Sequence, residues 1–239
     1  MYKDPDQFTP ITPISDEYTV RRYMSMTKFL AILENNSLFF PSLHLLAKED
    51  KFEGLFNLAD HTPPQLKDQI NNNFQRNYRK HCFVNCWNQG IEESYALWKI
   101  YLDNTGDGVA IETTGLQLKN CFKNFPENIF IGKVNYASDF YLGGRFFTCT
   151  TKRSPFEYEK EIRVIYEKIP LDEQGKQEVK LPPLQSGYSI PIDLQVLFGR
   201  IIISPFASSW FHDLVRKVMN RYGYSHVEVS KSSLSAEPI

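Results

Sequence analysis

The segment Phe156 to Glu167, FEYEKEIRVIYE, is the part of the chain densest in groups that can do chemistry. Read as a strand, its period of two sets Glu157, Glu159, Glu161 and Arg163 on one face. Side chains two residues apart on such a face lie roughly 6–7 Å from one another, so the glutamates repel unless an arginine, a metal ion or a raised pKa compensates. Two readings stay open. One is a solvated edge strand on which Arg163 pairs with Glu161 and the charges discourage pairing with other chains. The other is a site in which one glutamate stabilises a substrate and Arg163 orients it.

Arg22 is the second candidate. With Val20 and Met24 two residues to either side, it must snorkel to solvent, pair with an acid such as Glu161, or contact an anionic ligand. Phe52-Glu53-Gly54 follows Lys48-Glu49-Asp50-Lys51 and reads as a charged turn, or alternatively as a loop that brings Glu53 to a substrate. Tyr95, Trp98 and Tyr101, with Trp87, supply core bulk or line a pocket for a planar ring.

Other chemistries find less support. Cys82 and Cys86 on one strand would stand roughly 13 Å apart, too far to share a zinc ion, so no metal ligand is assigned there. The five histidines are scattered with no HExxH pattern or paired nucleophile. No Gly-rich phosphate loop occurs; Gly106-Asp107-Gly108 and Gly143-Gly144 read as turns. Lys plus Arg total 27 against 28 Asp plus Glu, so a net charge of -1 gives no field that would gather nucleic acid or anionic lipid. No apolar run approaches the ~18 residues of a membrane helix. The opening MYKDPDQFTPITPISDE lacks the apolar core of a signal peptide, and four irregularly spaced cysteines read as free thiols. The expectation is a cytoplasmic chain without disulfides.

These residues need a scaffold, and a chain of 239 residues with 42% hydrophobic and 14% aromatic content has material for one core. Strands are expected at 18–24, 38–41, 82–87, 108–113, 129–136, 157–166, 188–192, 200–204 and 226–229. Helices are expected at 25–35, 63–80, 94–102 and 207–222, the last stopped by Gly223. Strands outnumber helices and do not alternate regularly with them. The reading is therefore α+β, a single domain with a mixed or mostly antiparallel sheet and flanking helices, spanning 18–230 between flexible tails at 1–17 and 231–239.

The motifs Arg22-Tyr23-Met24-Ser25, Phe52-Glu53-Gly54, CFVNCW at 82–87, ESYALW at 93–98, GVAI at 108–111, Lys152 through Arg163 and IIISP at 201–205 resemble, in order, those of a large bacterial family known as a domain of unknown function. The chain departs from that pattern where the family has Asn-Asp-Pro before the Phe-Glu-Gly turn. More loosely, Arg22 on the first strand and Glu159-Lys160-Glu161 on a late strand resemble the arginine and Glu-x-Glu elements of ADP-ribosyltransferases. The Ser-Thr-Ser strand of that class has only Pro41-Ser42 near its place.

The second resemblance implies NAD as cofactor and a toxin or phage-defence setting. It implies that Glu161 stabilises the ribosyl cation and Glu159 activates the acceptor, with Arg22, Tyr23, Tyr95, Trp98 and Arg163 binding the cofactor. Two alternatives stand beside it: a metal-dependent nuclease using Glu157, Glu159 and Glu161 as ligands, and a non-catalytic binding or regulatory module in which the same charges are structural.

Overall fold

A computed structural model describes residues 1–5, 11–48, 50–55, 63–68, 75–102, 106–137 and 146–235. The chain is α+β with a mostly antiparallel sheet and flanking helices. Its strands are β1 (Thr19–Ser25), β2 (Ser37–Pro41), β3 (Cys82–Gln89), β4 (Gly108–Thr114), β5 (Phe130–Lys133), β6 (Asn135–Ala137), β7 (Thr151–Arg153), β8 (Glu161–Glu167), β9 (Gly187–Pro191), β10 (Arg200–Ile203) and β11 (Glu228–Lys231). The helices are α1 (Met26–Asn35), α2 (Leu43–Leu46), α3 (Pro64–Asp68), α4 (Arg76–Tyr78), α5 (Tyr95–Tyr101), α6 (Gly115–Asn120), α7 (Leu194–Leu197) and α8 (Phe211–Arg221). The expected Asn71–Asn73 stretch of the polar helix and the Gly143-Gly144 turn lie outside the described residues. Among the described residues no helix is long and apolar enough to cross a membrane.

Two compact units take interleaved segments, so no single cut in the sequence isolates either one. Met1–Ile14, Phe39–Cys86 and Pro126–Ile190 make the first; Ser15–Leu38, Trp87–Phe125 and Pro191–Ile239 make the second. In the second unit the strand order is β11-β10-β4-β1 followed by the end of β3. β1 pairs antiparallel with β4 along its whole length, and β10 pairs antiparallel with β4 and parallel with β11. The parallel pair is connected through α8, as a crossover requires. The core here includes Tyr23, Leu97, Trp98, Ala110 and Ile202. A Cβ on Gly108 would lie 2.5 Å from the Met24 carbonyl oxygen and 2.1 Å from Leu102 Cδ2, so β4 begins where only glycine fits.

The first unit holds the start of β3, then β8 and β5, the latter two antiparallel. β6 and β7 form a separate parallel pair, and β2 and β9 another small sheet. Ile11, Leu43, Tyr78, Val84, Phe130, Phe146 and Ile165 pack as one apolar cluster with Cys82 and Cys149. Ile11 and Ile14, expected in a flexible tail, are buried, and Lys3 N–H donates to the Ile129 carbonyl at 2.8 Å.

Several elements depart from the sequence reading. The strand expected from Glu157 starts only at Glu161, because Ser154–Glu159 is a 3-10 turn with proline in its first positions. The expected strand 129–136 is divided into β5 and β6, and α8 starts at Phe211 rather than at 207. Helix α6 was not expected, although its signal is local. Thr114 Oγ1 accepts from the Gln117 backbone N–H while the Gln117 side chain accepts from the Thr114 N–H, a complete capping box.

Candidate functional site

The first unit gathers its charged side chains where the 3-10 turn meets β8. Glu159 ends the turn, Lys160 adopts a left-handed backbone with φ 42°, and Glu161 opens the strand. The three carboxylates expected on one strand face are therefore not on one face, and Glu157 sits exposed on the turn. The reversal at Lys160 brings Glu159 and Glu161 to one ammonium. Lys152 Nζ, from β7, lies 2.5 Å from Glu159 Oε2 and 3.4 Å from Glu161 Oε2.

Behind this pair stands Arg163, the most deeply buried charge of the set at 1% exposure. Its Nε donates to Glu161 Oε1 at 2.8 Å and its Nη2 to Glu161 Oε2 at 3.2 Å, a two-pronged contact. Nη1 donates to Glu53 Oε1 at 2.7 Å and to the Cys149 carbonyl at 3.1 Å. The Tyr136 hydroxyl accepts from the Glu161 backbone N–H, and the Cys86 thiol donates to the Glu161 carboxylate. β8 is not a solvated edge at this point, since Glu161 through Tyr166 are all buried.

The two glutamates are pushed in opposite directions. Burial alone would raise Glu161, but the neighbouring Arg163 and Lys152 charges outweigh it and hold the carboxyl at about 2. Glu159 goes up instead, because burial exceeds what Lys152 returns and the Glu161 charge adds to the rise. Lys152 is raised: burial lowers it, and Glu161 with the other carboxylates more than compensates. Carboxylates whose environments separate their protonation in this way are suited to divided acid–base and electrostatic roles.

The sign of the pH dependence follows. Glu161 titrates lower in the folded chain than in the unfolded one, so its contribution is complete above about pH 4.5 and disappears as pH falls towards 2. The stabilisation at stake is about 3 kcal/mol. Glu159 acts oppositely, its cost at neutral pH fading as acid protonates it. Urea midpoints taken from pH 6 to pH 3 are expected to fall steeply below pH 4.5; a flat profile would contradict the placement of an ionised Glu161 in this cluster.

Lys160 is exposed and holds a conformation that disfavours side chains branched at Cβ. Lys160→Val is expected to cost about 1–2 kcal/mol, and Lys160→Gly to cost nothing, in urea unfolding. Equal effects of the two would mean that the reversal between the glutamates carries no strain.

Cys82 of β3 and Cys149 form a disulfide closing 67 residues, which overturns the expectation of free thiols at both positions. The two meet in the apolar core of the first unit, a proximity that spacing along the chain does not encode. Among the described residues Cys86 and Cys121 remain as thiols. Because the Cys149 carbonyl holds Arg163 and β7 starts two residues later, the crosslink also fixes the back of the charge cluster. Cys149→Ser is expected to lower the unfolding free energy by about 2–4 kcal/mol, and reductant to do the same to the natural chain only.

The remaining anticipated residues belong to the second unit. Tyr23 and Trp98 are core residues, 5% and 0% exposed, in edge contact with ring centroids 4.7 Å apart. Their polar atoms are engaged: the Tyr23 hydroxyl accepts from Ser94 N–H and Trp98 Nε1 donates to Glu93. Tyr95 is exposed and sits against Phe206 and Lys99. Arg22 is half-buried, whereas its neighbour Arg21 is the buried arginine of β1. Arg21 Nε donates to Glu112 at 2.6 Å, and its terminal nitrogens donate to the carbonyls of Gly90, Ile91 and Glu92. Arg200 completes the pairing of Glu112. Glu112, the one charged residue of β4, stands opposite Arg21 rather than Arg22 of β1, and this lone acid in an apolar strand was the signal available for the pair.

Glu53 and Lys152 also belong to the charge cluster, and nothing local in the sequence marks them as partners of Arg163 and of the two glutamates. Glu53 is 5% exposed and bound to Arg163, not part of a solvated turn. Among the described residues no group of three or more His, Cys, Asp or Glu side chains is placed to hold a metal ion. No family model matches the chain, and neither a curated protein nor a solved structure does.

Proposed function

We propose that the first unit carries an NAD-using transferase centre of the ADP-ribosyltransferase kind, with Glu161 and Glu159 as its catalytic pair. The observation that supports this reading is the convergence of two carboxylates on Lys152, one kept ionised and the other raised. In this reading the bond between the ribose anomeric carbon and nicotinamide breaks, and its electron pair leaves with nicotinamide. The ionised Glu161 stabilises the positive charge left on the ribose. A water or acceptor hydroxyl then forms the new carbon–oxygen bond and gives its proton to Glu159, which passes it to solvent.

The test is release of nicotinamide from NAD by the natural chain and by Glu159→Gln. Release that depends on Glu159 supports the reading; none from either chain rejects it. A toxin or phage-defence role and a cytoplasmic setting go with this proposal, and the acceptor is left to that experiment.

A second reading has its own support. Glu53, Arg163 and Glu161 satisfy one another almost completely inside the fold, which is what a non-catalytic module with structural charges requires. It predicts that replacing any of the three changes stability and no ligand response. The metal-dependent nuclease reading gains less, since Glu157 sits exposed on the 3-10 turn whereas Glu159 and Glu161 converge on Lys152.

A further inference from the structure

Arg153 stands apart from the buried arginines. Arg21 and Arg163 spend their donors on carboxylates and carbonyls inside the fold. Arg153, at the end of β7, keeps 42% of its side chain exposed and gives Nη2 to Asp50 at 2.7 Å. Its Nε, although buried, finds no acceptor among the described residues, and Nη2 is the one donor of its guanidinium with an acceptor there.

Aromatic rings frame it. The Arg153 guanidinium carbon lies 4.5 Å from the centroid of the Phe52 ring and 5.4 Å from that of Phe156. Phe52 is 48% exposed, as is Tyr158 on the same 3-10 turn as Phe156. The ledge runs into the glutamate centre without a break, because Lys152 Nζ lies 4.6 Å from the Phe156 centroid and 2.5 Å from Glu159. An exposed aromatic face beside an arginine with donors to spare is the combination that receives a planar ring and a phosphate together.

We infer that the Phe52–Arg153–Phe156 ledge is the binding site for a nucleoside diphosphate moiety, with Arg153 on the phosphates and Phe52 stacking the base. The assignment rests on the transferase reading for its choice of ligand and deepens it, supplying a phosphate contact from within the unit that holds Glu159 and Glu161. Asp50 holds the Arg153 guanidinium through Nη2, and the exposed part of the side chain is where the phosphates would bind.

Calorimetric titration of the full chain with ADP-ribose, AMP and inorganic pyrophosphate tests this without requiring turnover. ADP-ribose is expected to bind saturably to the natural chain and to Glu159→Gln alike. Affinity should fall roughly tenfold or more in Arg153→Met and in Phe52→Ala. Pyrophosphate binding should depend on Arg153 and not on Phe52, whereas AMP should depend on both. Phe52→Ala removes only an exposed ring and keeps the test sharp if Arg153→Met fails to fold. Affinities for ADP-ribose within twofold of the natural chain in a folded Phe52→Ala, or no binding of any probe at millimolar concentration, would overturn the inference. Ledge-dependent ADP-ribose binding without nicotinamide release from NAD would uphold it while rejecting the transferase reading.

Discussion

Arg163→Met is expected to destabilise the chain by about 3–5 kcal/mol, because it strands Glu161 and Glu53 as buried charges with their principal cation gone. Against a typical domain stability of about 5–15 kcal/mol, such a loss leaves the chain at or near unfolding. Methionine fills much of the arginine's space, so the loss is electrostatic rather than a cavity. Adding Glu53→Gln and Glu161→Gln to Arg163→Met should restore much of the stability, since neutral groups no longer need the guanidinium, and a mutant cycle would expose the coupling. Urea unfolding measures all of these. An Arg163→Met chain within 1 kcal/mol of the natural one would show that the buried network is not what holds β7 and β8 in place.

The second large effect is on turnover. Glu159→Gln is expected to lower nicotinamide release from NAD by about 10²–10⁴-fold, the range for removal of a general base. Stability should change little or rise, because glutamine removes a carboxylate whose ionisation the site disfavours. Its pH profile should also lack the rising limb expected of the natural chain above the ordinary carboxylate range, the direction in which burial moves Glu159. Glu161→Gln should cut turnover by a comparable factor and lower stability as well, since it removes the carboxylate that answers Arg163. A Glu159→Gln chain with unchanged turnover and pH profile would remove Glu159 from the catalytic pair.

Much of the architecture was legible in the residues. The alternation of Tyr18 to Met24, the apolar run GVAI and Gly223 after α8 placed β1, β4 and the end of α8 to within a residue or so, because each is governed by local pattern. Glu159, Glu161 and Arg163 were also legible as a charged cluster. Their geometry was not, because period-two reading continued the strand backwards through Glu157, whereas Pro155 and the left-handed Lys160 set a 3-10 turn there. The partners were harder still. Glu53 lies 110 residues from Arg163, and Cys82 lies 67 from Cys149, so both contacts are products of tertiary packing. Arg22 drew attention as the arginine between Val20 and Met24, yet β1 is buried on both faces and Arg21 is the residue more deeply enclosed.

The most direct test of Glu159 and Glu161 as a catalytic pair is incubation of the purified chain with NAD carrying a label in the nicotinamide ring, followed by quantification of free nicotinamide. Release by the natural chain is expected, nearly abolished in Glu159→Gln while that variant unfolds at the same urea concentration or a higher one. Absence of release from the natural chain, or equal release from both, would contradict it.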